Sequence, residues 1–100
     1  MLEKKWVKSV RDYKFKNKVA IVTGASKGIG RHLVLRLLNK GVKVVGLARS
    51  KDLLNSIALE VRVPERFLGL TCDLTNPEDI VSAVSSVREH FGFIDILINN

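Results

Sequence analysis

Thr23-Gly24-Ala25-Ser26-Lys27-Gly28-Ile29-Gly30 is the stretch of this sequence whose residue types and spacing point most directly to chemistry. It separates a short apolar run, Val19-Ala20-Ile21-Val22, from a segment whose apolar residues recur at helical intervals. Glycines are needed in such a connection where the backbone must turn tightly, approach a pyrophosphate closely and let a helix pack on a strand with no side chain between them. The start of the following helix offers N–H groups without intrahelical partners and the positive end of its dipole, and both attract phosphate. The chemistry expected here is capture of a phosphorylated ligand. An ordinary strand-to-helix turn is the competing reading, and the placement weighs against it.

Other reactive side chains are sparse. Cys72 is the single cysteine, so no intramolecular disulfide can form, and with His32 and His90 far apart no cluster has metal-ligand spacing. No metal site is expected.

The elements that must position the glycine segment are legible from periodicity. Val19–Val22 is the continuous apolar run of a strand buried on both faces. Ile29, Leu33, Val34, Leu37 and Leu38 predict a helix that Gly41 ends in the left-handed conformation. A second strand is expected over Val42–Ala48, followed by a helix capped by Ser50 and running through Leu53, Leu54 and Ile57 to about Val61, with Pro64 preventing its continuation. A third strand falls near Arg66–Thr71. Thr75-Asn76-Pro77-Glu78 then starts a helix carrying Ile80, Val84, Val87 and Phe91, closed by Gly92, before a fourth strand at Ile94–Ile98 and then Asn99-Asn100.

The order βαβαβαβ implies a parallel sheet with right-handed crossovers. A strand order 3-2-1-4 would place the first two helices on one face and the third on the other, with a dinucleotide crevice where the direction of travel reverses.

Composition fits one soluble globular domain, with 46% hydrophobic and 27% charged residues in 100. The net charge of +7 is concentrated at the front: residues 1–18 hold Lys4, Lys5, Lys8, Arg11, Lys14, Lys16 and Lys18 against Glu3 and Asp12. Residues 1–17 are accordingly treated as a basic N-terminal extension, and residues 18–100 as the folded unit. Within the extension Leu2, Trp6, Val10 and Tyr13 are spaced to line one helix face. A solvated or loosely docked extension is expected, with contact to a membrane surface or partner as the alternative. No nucleic-acid-binding module is recognisable, so no nucleic-acid partner is expected. The N-terminus lacks a signal-peptide pattern and no apolar run reaches a membrane span, so cytoplasmic placement is expected.

Three landmarks in order, Thr-Gly-x-x-x-Gly-x-Gly at Thr23–Gly30, Asp73-Leu74 after the third strand and Asn99-Asn100 after the fourth, make residues 18–100 resemble the short-chain dehydrogenase/reductase family. Val44–Arg49 further resembles the branch of that family that includes dehydrogenase/reductase member 11 and insect farnesol dehydrogenases. The resemblance implies an α/β fold, the N-terminal and incomplete part of a Rossmann-type doubly wound sheet. It also implies that Gly24, Ala25, Ser26, Lys27, Gly28, Ile29 and Gly30 hold cofactor phosphates. By the same resemblance Asp73 bonds the adenine amino group, Leu74 borders the base and Asn100 lies beside a ribose. On the residues alone, Asp73 also fits a turn-opening polar residue and Asn100 a strand-end hydrogen-bonding one.

Charge argues the cofactor. An NAD-preferring site places a carboxylate near the end of the second strand, where it would repel the additional phosphate of NADP. Here Gly46-Leu47-Ala48-Arg49-Ser50 contains no acid. Arg49 can grip a 2′-phosphate through paired donors, Lys27 adds charge and Ser50 a hydroxyl, so NADP is expected. The competing reading has Arg49 and Lys27 as solvated surface cations.

Family members transfer hydride with a tyrosine and lysine on a later helix and a serine on the strand before it. Tyr13-Lys14 lacks the Tyr-x-x-x-Lys spacing, and no catalytic residue is assigned. The fourth strand is nearly all apolar with nothing after it to pair its edge, so the chain is expected to be the front piece of a polypeptide of about 250 residues. The resemblance implies an NADP-dependent alcohol dehydrogenase or carbonyl reductase, homo-oligomeric when complete, acting on a small-molecule alcohol or carbonyl. A nonenzymatic NADP-binding or sensor protein on the same scaffold is the alternative.

Overall fold

A computed structural model describes residues 15–100. Its elements are strand β1 (Val19–Thr23), helix α1 (Gly28–Asn39), β2 (Lys43–Ala48), α2 (Lys51–Glu60), a 3-10 turn (Pro64–Arg66), β3 (Phe67–Thr71), α3 (Pro77–Phe91) and β4 (Ile96–Ile98). The spacing of Leu2, Trp6, Val10 and Tyr13 lies outside the described residues.

All four strands run parallel, as the alternation of strands and helices implies, and their order is β3-β2-β1-β4, the arrangement that puts α1 and α2 on one face and α3 on the other. Every residue of β1 is buried, as an interior strand of valine, alanine and isoleucine requires. Alternate residues point to opposite faces and so supply two cores. Ala20, Val22, Val44 and Ala48 meet Val34 and Leu38 of α1 and Leu54 and Ile57 of α2 on one face. Val19, Ile21, Val45 and Leu47 meet Ala83 and Val87 of α3 on the other. Each fully buried valine or isoleucine contributes about 1.5–3 kcal/mol.

Helix ends follow the residues expected. Gly41, at φ +85°, ends α1: its N–H donates to the Leu38 carbonyl while Val42 N–H reaches back to Leu37, so the last carbonyls are satisfied. Ser50 Oγ accepts from Leu53 N–H at 3.3 Å and caps α2. For α3 the cap is Asn76, whose Oδ1 accepts from Glu78 N–H at 3.0 Å, with Pro77 in the first turn.

The boundaries shift in three places. β2 starts at Lys43 rather than Val42, which is held in the α1 terminus. Arg66 belongs to the 3-10 turn begun by Pro64 and not to β3. β4 starts at Ile96 rather than Ile94 because Asp95 ends the ladder with its side chain. Val19 N–H donates to Asp95 Oδ2 and Asp95 N–H to the Val19 carbonyl, both at 2.9 Å.

Candidate functional site

Because the sheet is parallel, Thr23, Ala48, Thr71 and Ile98 finish their strands at one edge of the sheet. β1 lies between β2 and β4, with the connections after β1 and β2 covering one face of the sheet and the connection after β3 the other. A cleft of about 480 Å³ lies here, bounded by the glycine turn, the end of β2 and the Cys72–Thr75 segment.

The glycine turn is built by three different requirements. Gly24 (φ +59°) and Gly28 (φ +61°) occupy left-handed conformations that side chains disfavour. Gly30 is ordinary in conformation but has no room: a Cβ there would lie 2.0 Å from the Gly24 carbonyl oxygen and 2.7 Å from Asn100 Nδ2. Ala25, fully buried, anchors the turn through its N–H on the Leu47 carbonyl at 3.1 Å, and Ser26 is buried beside it. Lys27 and Ile29 are exposed.

α1 opens onto this turn without a stopper. Lys27 holds the cap position in extended backbone, no side chain bonds the first turn and no acid lies in it. The N–H groups there therefore remain available to an anion, with the helix dipole behind them.

Thr23, the first motif residue, was not among the expected site residues, yet it locks the crevice. Thr23 is buried, and its hydroxyl accepts from Asn100 N–H at 2.9 Å and donates to Asn99 Oδ1 at 3.2 Å. Asn100 Nδ2 then donates to the Gly24 carbonyl at 3.2 Å. Asn100 thus makes the strand-end bonds that its type allows and holds the glycine turn from behind. Only its position at the start of the motif hinted at the part Thr23 plays.

On the far wall, Arg49 is exposed at the end of β2 and Ala48 is buried. Asp73 is a turn-opening residue in part. Its Oδ1 accepts from Thr75 N–H (2.9 Å) and Thr75 Oγ1 (2.7 Å), and its own N–H donates to Asp79 Oδ2 at 3.0 Å. The two bonds from Thr75, and the charge of Arg49, hold the Asp73 carboxyl below its ordinary value. It stays a carboxylate, with Oδ2 free of these bonds.

Leu74 is 47% exposed and Leu53, not expected at the site, 40% exposed; both border the cleft. Cys72, also unexpected here, lies buried at its floor with its N–H on the Ala48 carbonyl at 2.8 Å. Burial first, then the charges of Asp79 and Asp73, push its thiol up, so it remains protonated. Among the described residues no group of three or more His, Cys, Asp or Glu could hold a metal ion. No helix of the described residues is long and apolar enough to cross a membrane. Tyr13-Lys14 lies outside the described residues.

Residues 18–100 match the family described as short chain dehydrogenase. The chain is 40% identical over 90 residues to dehydrogenase/reductase SDR family member 11 of Bos taurus, covering 87% of this chain and 35% of that protein. The chain therefore spans about a third of that relative's length. Among solved structures, a short chain dehydrogenase from Bacillus anthracis superposes with a TM-score of 0.82 at 39% identity, covering 86% of this chain and 35% of that one. An actinorhodin polyketide ketoreductase solved with NADPH matches at a TM-score of 0.77 and 37% identity, covering 83% of this chain and 32% of that one. A 3-ketoacyl-(acyl-carrier-protein) reductase from Brucella melitensis complexed with NADH matches at 0.78 and 32%, covering 83% of this chain and 33% of that one.

Proposed function

The chain belongs to the short chain dehydrogenase family, and from that premise we propose that its crevice holds NADP(H) and that the whole protein oxidises an alcohol or reduces a carbonyl. In this reading residues 18–100 are the cofactor-holding half-domain and residues 1–17 its basic extension. The nicotinamide, when bound, supplies or takes the hydride; the residues of this chain position the cofactor.

The structural features suit such a group. Gly24, Gly28 and Gly30 leave backbone where side chains would stand, and Asn100 braces the turn through the Gly24 carbonyl. Ala25, Ser26, Lys27 and Ile29 complete the turn, and the uncapped start of α1 presents its N–H groups to the pyrophosphate. Asp73 Oδ2 would accept from the adenine amino group, with Leu74 and Leu53 against the base.

One observation carries the choice of NADP. Arg49 and Lys27 stand at the mouth of the crevice, Ser50 lies beside Arg49, and Ala48 occupies the strand end where a carboxylate would repel a 2′-phosphate. The similar structures hold either NADPH or NADH, so the preference rests on these residues. Paired guanidinium donors recognise the phosphate group, with Lys27 adding charge. Ser50 Oγ accepts from Leu53 N–H, and its proton remains available to donate.

Titration calorimetry of the full-length protein with NADP+ and NAD+ tests this. Arg49→Ala is expected to weaken NADP+ binding by roughly 10- to 100-fold, the range of about 1.5–3 kcal/mol for charged hydrogen bonds, and to leave NAD+ binding nearly unchanged. Equal losses for both cofactors would refute the assignment of Arg49 to the 2′-phosphate.

A further inference from the structure

At the opposite end of the strands from the crevice lies a second concavity, about 620 Å³, between the outer side of α1 and the segment joining α2 to β3. Leu35, Val61 and Val63, all half-buried, give it an apolar lining. His32, Arg36, Arg62 and Arg66 also border it. The one acid on its border, Glu60, is engaged by Arg31. Arg36 and Arg62 have no ion-pair partner among the described residues, while Arg66 bonds the Gly41 carbonyl at 2.7 Å and Asn17 Oδ1 at 3.3 Å.

The basic extension enters the fold at this same place. Asn17 N–H donates to the Gly41 carbonyl, and Lys16 lies against Gly41. The sequence immediately before it carries Lys4, Lys5, Lys8, Arg11 and Lys14 against Glu3 and Asp12, together with Leu2, Trp6, Val10 and Tyr13. A groove with an apolar lining and arginines at its border, joined to a basic segment carrying tryptophan, has the composition that favours an anionic amphiphilic surface. The net charge of residues 1–14 is positive, so the segment adds to the positive charge bordering the groove.

We infer that this end of the molecule docks on an anionic lipid surface, with Arg36 and Arg62 meeting phospholipid headgroups and the groove lining their glycerol and upper acyl region. Docking through this end leaves the crevice at the other end of the sheet open to cofactor.

The test is co-sedimentation of the full-length protein with phosphatidylserine-containing or pure phosphatidylcholine vesicles. The expected result is partition onto the anionic vesicles alone, lost at ~1 M salt, where the Debye length falls to about 3 Å. R36Q/R62Q is expected to reduce partition roughly 25-fold, about fivefold per charge from ~1 kcal/mol per Lys or Arg near an anionic surface. R36K/R62K keeps the charges and should retain binding, and unchanged NADP+ affinity in both variants would show that the fold is intact. Equal partition onto both vesicle types would overturn the inference. So would wild-type partition by R36Q/R62Q, including the case in which deleting residues 1–14 abolishes it, because the groove would then play no part. Binding to a double-stranded RNA oligonucleotide as tight as to the anionic vesicles would also overturn it.

Discussion

Helices α1 and α3 both begin at the edge of the sheet where the strands end, and their N-termini are finished in opposite ways. α3 is closed by its own sequence: Asn76 caps it, Pro77 has no N–H to satisfy, and Glu78 and Asp79 place negative charge at the positive dipole end. α1 has a lysine where a cap would stand, no acid in its first turn, and glycines at positions 28 and 30. The fold therefore leaves one helix start unsatisfied and completes the other. The unfinished start faces the crevice, and the contrast separates a helix end closed by its own side chains from one left open, as the proposed phosphate contact requires.

The largest test of this contrast is Gly30→Ala. A Cβ 2.0 Å from the Gly24 carbonyl oxygen cannot be accommodated by a flexible side chain moving aside, because the obstacle is backbone. α1 must shift, at a cost of about 3 kcal/mol, the upper part of the usual overpacking range. Urea unfolding should show this loss, and NADP+ binding should fall below detection.

Lys27→Asp would convert the α1 start into the α3 kind. The position already has extended backbone, so an aspartate can accept from the first-turn N–H groups and stabilise the protein by about 0.5–2 kcal/mol. The same change would place a carboxylate where phosphate is expected and should weaken NADP+ at least ~10-fold, since one hydrogen bond to a charged group is worth about 1.5–3 kcal/mol. A higher urea midpoint with unaltered NADP+ affinity would break the comparison. Asn76→Ala is the reciprocal change. It should lower stability by about 1 kcal/mol and leave cofactor affinity within error, measured by the same two methods.

The smallest effect concerns Asp73. Its carboxyl is held below the ordinary 3.8 in the folded protein, so its contribution to stability is present above the unfolded value and disappears as pH falls through the lower folded value. Thr75→Ala removes the largest cause, the hydroxyl bond, and should move the Asp73 titration upward toward the ordinary carboxylate position. A side-chain NMR titration reads this directly, and an unmoved midpoint would assign the depression to other partners.

Much of this molecule was legible in its sequence because the signals were local. Strand runs, helix periods, the Ser50 and Asn76 caps and the Gly41 terminus each depend on residues within one or two turns. The Asp73-x-Thr75 turn was equally local and gives Asp73 Oδ1 a partner two residues away. What escaped depends on residues distant in the chain. Thr23 meets Asn100 only because β1 pairs with β4 in a particular register, and Cys72 reaches the cleft floor only because β3 lies beside β2. The late start of β4 likewise needs Asp95 to find Val19, a partner 76 positions away.

The bond between Thr23 and Asn100 also orders events in time. Asn100 also bonds the Gly24 carbonyl, so the first residue of the glycine turn and the residue that braces it are separated by 76 positions. At a synthesis rate of about 5–20 residues per second, the turn leaves the peptidyl-transferase centre roughly 4–15 seconds before its brace is made. A nascent chain therefore carries its glycine turn unbraced through that interval, and the crevice wall is completed only after β4 has joined the sheet.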